Sequence, residues 1–291
     1  MPMNMRPLST ELPTPQPMMQ PEKNVKSPRT LPPLNHPTNF VNEPFVKAVK
    51  DYYGRVADVV LEGFDRDMIK AIKSPADDYM SAWFDMQKWN GELWVTSEPF
   101  VRYTMMSGGE KALRQMTVDR QFDPMNPAVT RALSEHRYGM VNSVNSTIAK
   151  GVRKELATGM AKGESVAALR KRVKGYFDGI AEEGKEGISI YGAERIARTE
   201  TIWAWNEGAR QGYKQSGIVE KLQWVSSGDQ RSCDFCLDMD GKIIGIEQSF
   251  FDKGDSYEVN EQVLDFEYEK VDHPPIHCNC RCCIVPVLEG V

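Results

Sequence analysis

No run of eighteen apolar residues occurs in this 291-residue chain, so a membrane-spanning helix is not expected. The first thirty residues mix methionine, proline and polar types without an apolar core segment, which argues against a signal peptide. A P-loop, a dinucleotide glycine fingerprint and a nucleophile elbow are all missing, and with them the usual sequence marks of nucleotide and serine-hydrolase chemistry. A surplus of positive charge is missing too: the formal net charge is −5, which argues against a dedicated whole-chain nucleic-acid binder. Histidine is scarce, with four in the chain, and no cysteine precedes Cys233. What remains is an ordinary soluble-protein composition, 41% apolar and 26% charged with a mean hydropathy of −0.49. That is enough to bury a core, and the length suggests roughly two domains.

The distribution says more than the averages. Eleven of the 18 prolines fall within residues 1–44. Proline fixes φ and removes a backbone donor, and this segment has few large apolar side chains to bury. Residues 1–44 are therefore expected to form a disordered arm, either a passive tail or a polyproline-like ligand for a partner. Residues 45–187 read as a helical domain. Phe45, Val46, Val49, Tyr52, Tyr53, Val56, Val60 and Phe64 recur at helical spacing. Ser74-Pro75 and Asn126-Pro127 are helix-start signals. Two more helices are expected over 138–156 and 165–177, with Gly54, Gly63, Gly108, Gly109 and Gly139 separating or weakening the pieces. Eight basic residues lie between Lys150 and Lys174, either a solvated helix face or a surface for phosphates or an acidic protein.

Residues 188–291 read as a separate module. A helix is expected over 191–215, closed by Gly217. Ala197, Thr201, Ala204, Gly208 and Gly212 form a small-residue stripe on it, over which another element can approach closely. Arg198 and Glu200 serve either structural ion pairs with loops or a reactive site. Strands are expected over 221–226, 242–246 and 283–287, with an irregular acidic segment over 252–270. The fold class is α+β: a mostly helical N-terminal domain, then one long helix with a short β-sheet.

All six cysteines lie between Cys233 and Cys283. Cys233-Asp234-Phe235-Cys236 is a CxxC, and about forty residues later comes His277-Cys278-Asn279-Cys280-Arg281-Cys282-Cys283. Two short-range chelating groups joined by a long loop form the layout of a structural zinc site. Thiolate and imidazole donors suit Zn²⁺ better than Mg²⁺ or Ca²⁺, and such a site would stiffen a module with a small core. Free thiols, disulfides and an iron–sulfur cluster are the competing readings. The expected ligands are Cys233, Cys236, His277 and Cys282, with Cys280 the closest substitute.

Ala197-Arg198-Thr199-Glu200-Thr201, followed by Asn206, Ala209 and Tyr213, then Trp224, Gly228-Asp229, Arg231-Ser232-Cys233, Cys236, Asp240-Gly241, and finally Pro274-Pro275-Ile276-His277 with Asn279-Cys280-Arg281-Cys282, form an ordered set. That set, over about 190–285, resembles the phage head morphogenesis family, the Mu F-like minor capsid proteins. The chain departs from the pattern at Cys278, where a proline usually follows the motif histidine, and at the additional thiol Cys283. The resemblance implies a non-enzymatic virion component, present in few copies at the portal vertex and acting in procapsid assembly. It also implies a portal-protein partner, with the major capsid or scaffolding protein as further candidates, and for some relatives passage out of the head with the genome. The Lys150–Lys174 stretch would then be a place for weak contact with packaged DNA.

Two enzyme classes compete. Asp272-His273 and Asn279 beside the cysteines have the flavour of an HNH-type metal-dependent nuclease, although the chain leaves little room for the second half of that motif. Glu267-Tyr268-Glu269 with an upstream arginine is the other candidate, an ADP-ribosyltransferase pattern that arises easily by chance in so acidic a segment.

Overall fold

The structure is a computed structural model, describing residues 29–33, 42–67, 83–178, 190–267 and 269–288. Most of the proline-rich arm, the Ser74-Pro75 signal and the expected boundary at 187/188 lie outside the described residues. The fold is α+β as expected. The amphipathic stripe at the start of the chain becomes α1, Glu43–Asp67, with all eight stripe residues buried. Asn42 caps it by accepting the Phe45 N–H at 3.1 Å. Helix α2 spans Met86–Gln115 and is capped by Asp85, whose side chain accepts the Lys88 N–H at 3.0 Å.

Asn126 accepts the Ala128 N–H at 2.9 Å and Pro127 opens α3, Pro127–Ala161. The sequence suggests two helices here, broken near Gly139. The structure has one of 35 residues, because a lone glycine costs only about 1 kcal/mol in a helix interior, and Val129, Leu133, Met140, Ile148, Val152 and Leu156 are buried along its length. Helix α4, Val166–Asp178, follows. Helix α5, Ile190–Ser216, ends as expected at Gly217 with φ +72°.

The small-residue stripe of α5 meets the Gly108–Gly109 pair of α2. A Cβ on Gly212 would lie 2.5 Å from the Gly109 carbonyl oxygen, and one on Gly108 would lie 2.5 Å from that of Trp205. Gly208 is pressed still closer against the Met105 backbone. The glycines that look like helix breakers on α2 are instead the surface on which two helices touch backbone to backbone.

After Gly217 come β2 (Lys221–Val225), the short helix α6 (Asp234–Met239), β3 (Ile243–Gly245), β4 (Ser256–Val259), β5 (Gln262–Asp265) and β6 (Cys283–Leu288). One antiparallel sheet has the order β1-β6-β2-β3, where β1 is Arg29–Thr30. In it Lys221 pairs with Val287, Val225 with Cys283, and Arg29 with Leu288. Thus a piece of the expected disordered arm is a strand on the C-terminal sheet. The acidic segment expected to be irregular contains the β4–β5 hairpin, turning at Asn260-Glu261, both at positive φ. Its alternation is too polar to read as a strand, because Glu258, Gln262, Val263 and Asp265 face solvent. The expected boundary between 187 and 188 is not a break in packing. One apolar cluster joins Ala112 of α2 and Met116, which caps its C-terminus, to Ala209 and Tyr213 of α5, and to Leu222 and Ile284 of the sheet.

Candidate metal centre

Five donors converge where α6 meets the loop before β6. Cys233 caps α6, its sulfur accepting the Cys236 N–H at 3.5 Å. The CxxC therefore opens a short helix, with Cys233 at its cap and Cys236 in its first turn. His277 Nε2 lies 3.0 Å from Cys233 Sγ and 3.1 Å from Cys236 Sγ. Its other nitrogen, Nδ1, is 2.8 Å from the Cys278 carbonyl oxygen. A carbonyl can only accept, so Nδ1 carries the proton and Nε2 turns a lone pair toward the sulfurs, the tautomer a metal requires.

Cys236 Sγ is 3.7 Å from Cys280 Sγ, close to the sulfur–sulfur edge of about 3.8 Å in a tetrahedron with 2.3 Å bonds. Two groups have mutually close donor atoms: Cys233, Cys236 and His277, and Cys236, Cys280 and Cys282. The second is buried and the first opens toward the surface. Cys282 is the sulfur held as thiolate, pulled down to about 3 by hydrogen bonds from Cys236 and Cys280. The Cys236 thiol, donating to those partners and buried, is pushed up. All five expected ligand residues are therefore brought together, with Cys280 as deep in the cluster as Cys282. Cys278 is exposed, while Cys283 is turned into the protein, where burial pushes its thiol up to about 12.

The motif residues of α5 hold this loop. Arg198 Nη1 donates to Asn279 Oδ1 at 3.0 Å, and the Asn279 N–H donates to Thr199 Oγ1 at 3.2 Å. Asn279 needs such anchors, since it sits at φ +63°. Asn206, fully buried, donates to the Cys282 carbonyl at 3.2 Å and accepts the Ile284 N–H at 3.1 Å. Asp229 pairs through both oxygens with Arg281, whose guanidinium holds the carboxyl well below its usual range. Arg198 and Glu200 thus take the structural role: Arg198 anchors the loop and Glu200 pairs with His136.

A second polar group was not legible in the sequence. His136 of α3 is buried, with Nε2 2.6 Å from Glu200, and its ring stacks on Trp203 at 3.5 Å. Burial alone would lower the imidazole, but Glu200 outweighs it and brings His136 up to about 10. On the other side of Trp203, His273 Nε2 is 3.1 Å from the buried Glu207, and Arg210 reaches Asp272 at 3.1 Å. His273 Nδ1 lies 2.6 Å from the Pro274 carbonyl. Both nitrogens of this buried histidine are engaged, which leaves none to activate water and removes the geometry expected of an HNH base. These histidines are separated in sequence from their carboxylates by 64 and 66 positions, and only the folded chain pairs them. In the basic stretch, Arg170 is paired with Asp65, Arg172 with Glu155 and Glu164, and Lys174 with Asp178, so much of its charge is neutralised within the protein.

Residues 150–285, which contain every one of these loop anchors, match the family described as Phage Mu protein F like protein. This segment is similar to the Mu F-like family. The Mu F-like segment includes α5, the sheet core and the whole Cys/His cluster, but not α1, α2 or β1. The chain is also similar to the NAD(+)–arginine ADP-ribosyltransferase EFV of Enterococcus faecalis, 26% identical over 168 residues. That alignment covers 57% of this chain and 30% of the relative, so the chain spans about a third of that protein's length. No solved structure matches.

Proposed function

We propose that this protein is a minor capsid protein of a tailed bacteriophage that acts in head morphogenesis, located at the portal vertex or inside the head. The observation that carries the reading is the family match over 150–285, together with the finding that the motif residues latch a loop. Arg198, Thr199 and Asn206, with Asp229 through its pair to Arg281, hold the segment 279–284 in place, as a rigid docking module would require. The portal protein is the proposed main partner, with the major capsid or scaffolding protein as further ones. DNA contact through Lys150–Lys174 is the weakest part, because ion pairs already engage Arg170, Arg172 and Lys174. The Cys/His cluster is proposed to hold one structural Zn²⁺. The donor set of thiolates with a correctly protonated imidazole fits that ion, which would tie α6 to the strand β6. Co-expression with the portal and scaffolding proteins of the same phage is the test. The protein should enter procapsids and copurify with the portal; procapsids that form normally and exclude it would sink the reading.

One observation favours a second reading, that of an ADP-ribosyltransferase effector: the similarity to the Enterococcus faecalis enzyme. Glu267 and Glu269 do face a cavity. Incubation of the purified chain with labelled NAD and an arginine acceptor decides between the two. Transfer lost in Glu269→Gln would establish the enzyme, and absence of transfer leaves the assembly role.

A further inference from the structure

A cavity of about 390 Å³ lies between α3, the first turns of α5 and the loop 265–278. That volume falls in the range of small-molecule sites. Its walls are mainly apolar, with Met140 and Val144 from α3, Ile196 from α5, and Phe266, Val271 and Ile276 from the loop side. Four carboxylates face it: Glu200, Asp265, Glu267 and Glu269. Against them stand the His136 imidazolium, engaged by Glu200 at 2.6 Å, and the exposed Arg195.

Glu269 shares the His136 imidazolium with Glu200, while Glu267 and Asp265 have no ion pair among the described residues. Glu269 ion-pairs with His136 Nδ1 at 3.4 Å without a well-aligned hydrogen bond, and this buried nitrogen has no other partner among the described residues. Among the described residues, Asp265 accepts the neutral Ser256 hydroxyl alone, at 2.6 Å. Low-dielectric walls focus the field of such charges into the cleft. An anion or phosphate is repelled there, and a neutral apolar molecule leaves the carboxylates without a counter-charge. A cation with no apolar part would leave the walls uncovered.

We propose that this cavity binds an organic cation with an ammonium head on a short alkyl stem, the head held among Glu267, Glu269 and Asp265 and the stem lying along Met140, Val144 and Ile196. The site is separate from the metal cluster, although His277 and Cys278 form one edge of it. It is also independent of the head-morphogenesis reading.

Ligand-observed NMR with n-hexylammonium as the probe tests this on the full chain. Saturable binding with a Kd of about 1 mM or tighter is expected for so small a ligand. The neutral isostere 1-hexanol should bind at least about tenfold more weakly, since it cannot meet the carboxylates. Glu267→Gln, on an exposed side chain, should weaken the amine about fivefold at unchanged melting temperature, and Val144→Trp should abolish binding by filling the cavity. A Gly-Lys-Gly tripeptide separates the two sources of such a cation. Binding equal to the free amine assigns the cavity to a partner's lysine; binding lost in the tripeptide assigns it to a free amine. No saturation by n-hexylammonium up to ~20 mM, or equal binding of 1-hexanol, overturns the proposal. So does a Glu267→Gln protein with unchanged affinity.

Discussion

Cys236 is the donor common to both groups of the cluster: one is Cys233, Cys236 and His277, the other Cys236, Cys280 and Cys282. Replacing Cys233 or His277 leaves the buried group of three sulfurs intact, and replacing Cys280 or Cys282 leaves the outer group intact. Replacing Cys236 leaves neither group with three donors. A structural zinc site is worth roughly 10–16 kcal/mol of apparent binding, or about 3 kcal/mol for each of four ligands. Loss of a peripheral donor should therefore weaken the metal about 100-fold, and the protein should still purify loaded. Cys236→Ser breaks both groups and should weaken it at least about 10,000-fold, giving a protein that loses its metal to a mild chelator. Trp224, Phe235, Met239, Phe266 and Ile276 pack around these sulfurs in one apolar cluster, so melting of that part of the protein should follow the metal. Elemental analysis after dialysis against a chelator of known affinity, paired with calorimetric melting, reads both quantities. The reasoning is refuted if His277→Ala loses its metal as completely as Cys236→Ser, or if Cys236→Ser keeps full metal and the wild-type melting temperature.

Asn206→Ala leaves the Cys282 carbonyl and the Ile284 N–H without their buried partner. It should cost about 2–3 kcal/mol in denaturant unfolding; a change under about 0.5 kcal/mol would contradict the anchoring role. The His136 pKa is raised in the folded state to about 10 from an unfolded value near 6.5, so its pairing stabilises fully below pH ~6.5 and is lost as pH rises through about 10. Melting temperature measured from pH 6 to 10.5 should fall in the wild type and run flatter in His136→Gln, which parallel curves would disprove. Residues 188–291 expressed alone should fail to give a cooperative melt, because the α5 face carrying Ala209 and Tyr213 loses Ala112 and Met116; wild-type-like calorimetric unfolding of that fragment would show the two parts to be independent.

Local chemistry was legible and long-range pairing was not. The α1 stripe, the Asn126-Pro127 start, the Gly217 end and the three strands of the C-terminal sheet are set by neighbours within a few residues, and each appears in the structure. The cysteine spacing also sufficed to name the five converging donors. The β4–β5 hairpin was missed because its residues largely face solvent, and the short alternation Ser256-Tyr257-Glu258-Val259 is the only mark of it in an otherwise acidic segment. Gly108 and Gly109 were misread because a glycine that breaks a helix and one that admits a neighbouring helix look the same in sequence. The backbone of Trp205, about a hundred residues away, decides which it is. The His136–Glu200 pair carries no local signal at all, since His136 simply falls on the inward face of α3.

These pieces meet on α5. On its first turns Arg198 and Thr199 hold Asn279; at its middle Asn206 holds the backbone on either side of Cys283; one residue later Glu207, with Arg210, fixes His273 and Asp272. Gly208 and Gly212 lie among these same residues and press on α2. The helix therefore cannot shift along its axis to suit one set of contacts without disturbing the other, because backbone-to-backbone packing leaves no side chain to absorb the movement. The spacing of the cysteine donors is in this way set by a helix whose position depends on α2. A substitution on α2 that pushes α5 outward would reach the metal cluster through Asn206 and Arg198 before it touched any cysteine. This also explains why several motif residues of the matched segment are not donors: Arg198, Thr199, Asn206, Asp229 and Arg281 fix the loop that carries the donors.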